Sequence, residues 1–516
     1  MSTNAKSADH SPIDEDAEQL ARLGYTYEKQ FKREMSFWGN VSLGFTYLSP
    51  VVGVYTLFAS SLGLGGPPMI WSFLIVGVGQ LFVALVFGEI VSNYPVAGGV
   101  YPWARRLWGA KWGWMTGWVY LIALLTTIAG VAYGAGTFLD ALIGMESTTT
   151  STIICAIALI LAATAINLGG TKLLSKVAML GLFAELGGAL VVGIWLLVAA
   201  RQHDLSVLFN SFGAGGDGSN YFIAFAAAAL IGIYQYYGFE ACGDVAEEVP
   251  NPGVRIPKAM RMTIYIGGFA ATFVCLSLIL AVPDYAAVIS GENTDPVGTV
   301  LGGAFGEVGY RVVLGVVLIS FLSCVMSLQA AASRLSYSMA RDRMLPASHL
   351  LAQFQEKRHV PPYSLLLACA VPILIILGSA VSPDALVVIV SFAAFGIYLG
   401  FQMVVLAALR ARLKGWKPSG AFQLGKWGVP VNIAALTWGV LGITNMVWPR
   451  TPDSPWFVNY LVLLSAVVVV GVGLIYLFAK KPYTHSDAPA ADAVPASGSN
   501  RSVAENAQSR NVENYL

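Results

Sequence analysis

Twelve stretches of mostly apolar residues, near 36–62, 67–91, 113–138, 150–168, 175–200, 221–243, 260–283, 309–337, 362–381, 385–409, 429–448 and 457–479, are separated by polar or Gly/Pro-marked turns. A helix needs about 20 such residues to cross a hydrocarbon core of roughly 30 Å. The pattern therefore predicts an all-α polytopic membrane protein with twelve transmembrane helices. Its flanks read differently. Met1 to about Glu34 is polar and acidic, and the stretch after Pro482 is rich in Ala, Ser, Asn and Asp. Neither has an apolar period that could offset chain entropy, so 1–35 and 481–516 are expected to be disordered cytoplasmic tails. The polar start also lacks the short apolar run of a cleaved signal peptide, and insertion begins with a retained helix.

Charge fixes the orientation. If the N-terminus is inside, every Lys and Arg of the 30 in the chain falls on the inner side except Arg201, Arg311 and Arg450. Cytoplasmic loops carry the basic excess, and one missed helix would invert the bias downstream, so both termini are expected to be cytoplasmic, in the cell membrane. Composition agrees with a membrane-embedded mass: 56% of the 516 residues are hydrophobic and 11% charged, against about 25% charged in soluble domains. A net charge of +1 leaves no concentrated basic face for nucleic acid. The five cysteines, Cys155, Cys242, Cys275, Cys324 and Cys369, show no CxxC or Cys/His spacing, so no disulfide framework, zinc site or other cofactor follows. No HExxH, GxSxG or intramembrane His cluster is present, which argues against a membrane enzyme.

Interruptions inside the spans carry the functional signal. The first span contains LSPVVGVY, where Pro50 removes an intrahelical donor and disfavours the α region for Ser49, with Gly53 three residues on. The sixth contains YQYYGFEACGDV, with Gly238 and Gly243 bracketing Glu240. Breaks five spans apart predict a five-plus-five inverted repeat with helices 1 and 6 broken: a first repeat over 36–200, a second over 201–410, and two extra helices in 411–480. Pro kinks and glycines also occur in ordinary membrane helices.

Three long stretches then match a family in order. GFEACGDVAEEVPNPGVRIPKAM (Gly238 to Met260) resembles the sixth-helix signature of the amino acid–polyamine–organocation (APC) transporter superfamily. GEIVSNYPVAGGVYPWA (Gly88 to Ala104) is similar to its second-helix end and following loop, and AASRLSYSMARDRMLP (Ala331 to Pro346) to its eighth-helix end. The resemblance implies secondary transport of amino acids or related amines. Many of its amino acid transporters have Gly-Ser-Gly at the first-helix break, whereas this chain has Val51 or Val52 and Gly53 behind a proline. That form looks more like the branch carrying γ-aminobutyrate, choline and other amino acids or amines.

An anionic substrate group is expected at the N-terminal end of the inner half of helix 1, with Val52, Gly53 and Val54 as donors. Its ammonium would face carbonyls freed around Tyr234 to Tyr237, beside Gly238. By register with the family motif, Tyr234 falls at an outer-gate aromatic and Phe239 follows the break glycine; ordinary packing is the competing reading for both. Glu185 lies mid-span in LFAELGG and must be protonated, paired or hydrated at that depth. In some proton-coupled relatives a Lys occupies that region, so Glu185 is read as a proton carrier, a counter-charge or a neutral packing group. Glu240 stands at the helix-6 break, to polarise the inner route or to bond free backbone donors. Glu89, Glu247, Glu248, Arg334 and Arg341 read as inner-gate ion pairs or anchors. Sodium would use hydroxyls such as Ser320, Ser323 and Ser327, which serve equally as packing groups. The expected protein is a permease with a small-molecule partner, a proton as coupling ion and no protein partner required. An amino acid or amine exchanger, a sodium-coupled choline or polyamine transporter, and a sensor or channel on the same scaffold are the alternatives.

Overall fold

The computed structural model describes residues 31–216, 221–380, 385–450 and 454–494, together with Ala21 and Gly24. Fifteen helices are used below: α1 (Phe37–Leu48), α2 (Pro50–Gly65), α3 (Trp71–Asn93), α4 (Val100–Trp108), α5 (Ala110–Ile143), α6 (Thr149–Leu168), α7 (Thr171–Ala199), α8 (Tyr221–Ala228), α9 (Leu230–Gln235), α10 (Pro252–Ala281), α11 (Pro296–Arg341), α12 (Pro362–Ser379), α13 (Ala385–Leu413), α14 (Gly428–Val447) and α15 (Leu461–Lys480). The only pairing of β type among the described residues is an isolated bridge between Gln355 and Val360.

Each of the twelve apolar stretches contains helix, but only ten segments among the described residues are both long and apolar enough to cross a membrane. The sixth and ninth fall short as single helices, at Tyr221–Gln235 and Pro362–Gly378. In the sixth the reason is local: the chain leaves α9 at Gln235 and passes through Gly238 at φ 115, which an unbroken helix cannot contain. The eighth stretch starts earlier than its hydropathy suggests, because α11 runs from Pro296 and turns through Gly306 at φ 62 before the apolar part begins. In the first, Ser49 sits at φ 40 and ψ 90, and Pro50 opens α2 at a position where the missing N–H costs nothing.

Burial sorts the helices into a centre and a rim. The most apolar window is 89% buried in α1–α2 and in α5, against 28% in the segment containing α14 and 17% in α15. Around α5 lie α4, α6, α11, α13 and α15, while α7 packs on α1, α10 and α11. Glycines allow the close crossings. A Cβ on Gly181 of α7 would overlap Ser323 of α11, and one on Gly396 of α13 would stand 2.7 Å from the Cβ of Ala123 on α5.

One end of the bundle, where α1 starts, is tied by ion pairs, one of them fully buried and two partly buried. Arg334 of α11 reaches Glu248 at 2.8 and 3.3 Å, and the Thr171 hydroxyl donates to the same carboxylate at 2.5 Å. Arg341 pairs with Glu247 at 3.1 Å, and Arg412 with Glu89. The same end holds the part of 481–516 that is described. Arg105 of α4 donates to Ser486, Ala488 and Pro489, Arg106 pairs with Asp492 at 3.2 Å, and both guanidiniums are buried. Burial raises the Asp492 carboxyl above its usual range, with Arg106 beside it pulling the other way. Most of 1–35, and 495–516, lie outside the described residues.

Removing one partner of the Arg334–Glu248 pair leaves a charge buried with nothing to compensate it. Arg334→Met is expected to destabilise the protein by about 3–5 kcal/mol. Loss of the exposed Glu307–Arg311 pair in Arg311→Gln is expected to cost no more than about 0.5 kcal/mol. Thermal unfolding of the two variants in detergent micelles compares them.

Candidate functional site

The two interruptions meet backbone to backbone. A Cβ on Gly238 would stand 2.6 Å from the Leu48 nitrogen, so only glycine lets the sixth-helix break lie against the first. The Leu48 carbonyl, freed where α1 stops, accepts from Gln235 Nε2 at 3.0 Å. A Cβ on Gly53 would overlap Gln235 Oε1, so glycine at 53 leaves room for that amide. Two turns earlier on α1, Asn40 Nδ2 donates to the Cys242 carbonyl at 3.0 Å, tying the two segments a second time.

The first turn of α2 has few donors to spare. Pro50 has no N–H. The Ser49 hydroxyl oxygen accepts from Val52 N at 3.3 Å, and the Ser49 carbonyl from Gly53 N at 3.1 Å. Val54 is far enough along to join the helical ladder. The remaining N–H, that of Val51, donates to Glu185 Oε1 at 3.0 Å, and the Ser49 hydroxyl donates to the same oxygen at 2.6 Å. Glu185 thus crosses from α7 to cap α2, fully buried, with Oε2 lacking any partner. The donors expected at Val52, Gly53 and Val54 belong to the half-helix after the break, and the structure engages them internally.

Glu240 takes the matching role at the sixth-helix break. Its Oε2 accepts from Gly238 N at 2.7 Å and its Oε1 from the Tyr120 hydroxyl of α5 at 2.8 Å. Four residues on, Asp244 is fully buried and neither carboxyl oxygen has a hydrogen-bond partner.

Between the breaks is a cavity of about 10 Å³, room for about one water and too small for an amino acid. Tyr47, Leu48, Val52 and Gly53 line one side, Tyr234 and Tyr237 another, and Thr127, Val131, Cys324 and Leu328 complete it from α5 and α11. The Tyr237 ring stands edge-on to Tyr234 at 5.3 Å and to Tyr47 at 6.1 Å. The hydroxyls of Tyr47 and Tyr237 are buried without a hydrogen-bond partner. The site is closed, yet it keeps polar atoms unpaired at its wall.

The residues chosen from sequence separate into groups. Val52, Gly53, Tyr234 and Tyr237 line the cavity, and Gly238 forms the crossing. Phe239 packs among Phe87 and Phe401, at 6.0 and 5.6 Å. Ser327 meets Thr46 of α1 at 2.8 Å, and Ser323 packs against Gly181, so both lie where α11 crosses α1 and α7. Gln235, Asp244, Tyr47, Tyr120 and Thr127 had not been singled out. A lone amide among the tyrosines of the sixth span was the available signal for Gln235, and an acid inside the same span for Asp244.

A family model described as amino acid permease matches residues 36–472. Similar proteins include the amino-acid permease BAT1 homolog of Oryza sativa subsp. japonica, 26% identical over 494 residues that cover 89% of this chain and 92% of the relative. The amino-acid permease BAT1 of Arabidopsis thaliana is 25% identical over 494 residues, covering 89% and 93%. Amino-acid permease 2 of Neurospora crassa is 25% identical over 476 residues, covering 87% and 85%.

Two glycine substitutions test the crossing. Gly238→Ala adds a side chain against backbone and at a positive φ, and Gly53→Leu displaces the Gln235 amide. Both are expected to lower uptake at least about tenfold, the equivalent of 1.4 kcal/mol, while membrane insertion persists. Uptake normalised to surface-resident protein measures this, and activity within about twofold of wild type would remove the crossing from the site.

Proposed function

The chain belongs to the amino acid permease family, and on that premise we propose that it is a secondary active transporter. It moves amino acids or related amines such as γ-aminobutyrate across the cell membrane by alternating access, driven by protons. The observation that carries this reading is the small closed cavity where two interrupted helices cross, lined by first-helix, sixth-helix, α5 and α11 residues. Broken helices at a buried site present backbone groups and dipole ends to a substrate, which unbroken helices do not.

In this reading the substrate enters between Tyr47, Tyr234 and Tyr237. Its charged groups meet the start of α2 and the tyrosine hydroxyls that have no partner. With both termini cytoplasmic, the buried pair Arg334–Glu248 and the partly buried pairs Arg341–Glu247 and Arg412–Glu89 form the closed inner gate. Opening requires the segment after Gly238 to part from α11, and Gly238 and Ser49 are the positions where the backbone already departs from helix. Spans 1–5 and 6–10 form the inverted repeats, with α14 and α15 as the added pair.

Glu185 is the proposed proton carrier. It is fully buried, faces no cation among the described residues, and has one carboxyl oxygen unpaired. Protonation there changes the grip on α2, which joins proton binding to the helix that forms the site.

Liposome uptake of α-amino acids, γ-aminobutyrate, choline and polyamines, with and without an imposed pH gradient, tests the reading. Amino acids or γ-aminobutyrate are expected to accumulate with the gradient, whereas an exchanger would need internal substrate and a sodium-coupled protein would follow sodium. Glu185→Gln is expected to retain exchange and lose pH-driven accumulation. Unchanged accumulation in that variant would place the coupling elsewhere.

A further inference from the structure

The positive end of α2 already holds an anion from the protein itself. Of the N–H groups in its first turn, Val52 and Gly53 are engaged by Ser49 and Pro50 has none, so Val51 alone donates outside its own segment, to Glu185. Yet Val52 and Gly53 belong to the same helix end and line the cavity. A substrate carboxylate that approaches through the cavity therefore arrives at the helix end that Glu185 occupies. An N-terminus carries the equivalent of roughly half an elementary charge. It can offset one carboxylate in part, and a second ionised carboxylate beside the first meets like-charge repulsion in a dry site.

We propose that Glu185 is an internal competitor for the substrate's carboxylate, so that a carboxylate-bearing substrate binds only with a proton taken up on Glu185. This rests on the transporter reading above and specifies how substrate and proton are joined. Ionised, Glu185 holds Val51 N–H and the Ser49 hydroxyl and keeps the helix end occupied. Protonated at Oε2, the oxygen that has no partner, it is neutral and no longer repels an incoming carboxylate, which takes over the Val51 N–H and the Ser49 hydroxyl. One proton is bound per carboxylate, and no bond other than that O–H is made or broken.

The surroundings support a single titrating partner. The groups that face Glu185 are the Ser49 hydroxyl and Val51 N–H from the first-helix break and the Cys324 thiol from α11. No Lys or Arg from α1, α2, α6, α10 or α11 pairs with it among the described residues. A substrate without a carboxylate makes no claim on the start of α2. Such an amine is expected to bind with Glu185 still ionised and to take up no proton, so the same residue sorts substrates by the presence of an acid group.

The test uses purified full-length protein in lipid nanodiscs. Its ligands are glycine, L-alanine, γ-aminobutyrate and L-lysine, each paired with its decarboxylated amine: methylamine, ethylamine, propylamine and cadaverine. Apparent affinity is read from the ligand-dependent rise in unfolding midpoint, between roughly pH 5 and roughly pH 8. For wild type, acids that bind are expected to weaken by up to about tenfold per pH unit where Glu185 titrates, the slope of one linked proton. The amines are expected to change by less than about twofold. In Glu185→Gln the acids lose that slope. Adding an acid to weakly buffered wild type is expected to take up about one proton per ligand bound, and an amine none, a measurement that needs no variant. Acid binding without pH slope or proton uptake, or an unchanged slope in Glu185→Gln, overturns the competition and leaves the transporter reading standing. Failure of acids and amines alike to bind at any pH overturns both.

Discussion

In a bilayer a backbone N–H or C=O that leaves a helix finds no water to bond, and this constraint governs the centre of the molecule. Two helices are interrupted here, and side chains take up three of the groups that the breaks free. Gln235 answers the Leu48 carbonyl, Glu185 the Val51 N–H, and Glu240 the Gly238 N–H. Gln235 comes from the opposite break and Glu185 from another helix, while Glu240 serves its own break and is held there by the Tyr120 hydroxyl of α5, so the interruptions keep their shape only while the helices stay packed. The arrangement that closes the site is thus the one that stabilises it. In the transport cycle proposed above, opening would exchange these bonds for bonds to substrate or water.

The ends of the bundle follow a different rule. Around the cavity, charges are few and acidic, whereas the end where α1 starts is built from full ion pairs with bidentate or multiply bonded carboxylates. Such pairs contribute little net stability once desolvation is counted, but breaking one without replacing it is costly. In the proposed inner gate, such pairs would leave the end closed or open with little between, because a half-separated pair loses its partner before water reaches it.

What the sequence discloses depends on whether a residue acts through its own backbone or through a neighbour. Pro50 and Gly238 carry their geometry with them, so both breaks were legible. The long apolar stretches likewise announced a membrane bundle. The sixth span read as one run over 221–243, since apolar residues continue through a break that only Gly238 marks. Glu185 stood out as an isolated acid, but that it caps α2 depends on where α7 crosses α1, which no local pattern encodes. Phe239 shows the reverse case: its register placed it beside the break, while the Phe87 and Phe401 rings decide where it packs. Asp244 was masked by the acid-rich motif around Glu247 and Glu248, although its carboxyl is buried and theirs are ion-paired.

The segment that wraps Arg105 and Arg106 sets an order on assembly. Residues 486–492 supply the acceptors for two buried guanidiniums of α4, and they leave the ribosome after every transmembrane helix has been made. Until then α4 presents two cations with no partner from this strap. A chain cut just after Lys480 would contain every helix and still leave that face unfinished. Completion of the fold is therefore a late event at that end of the bundle, separate in time from insertion into the bilayer.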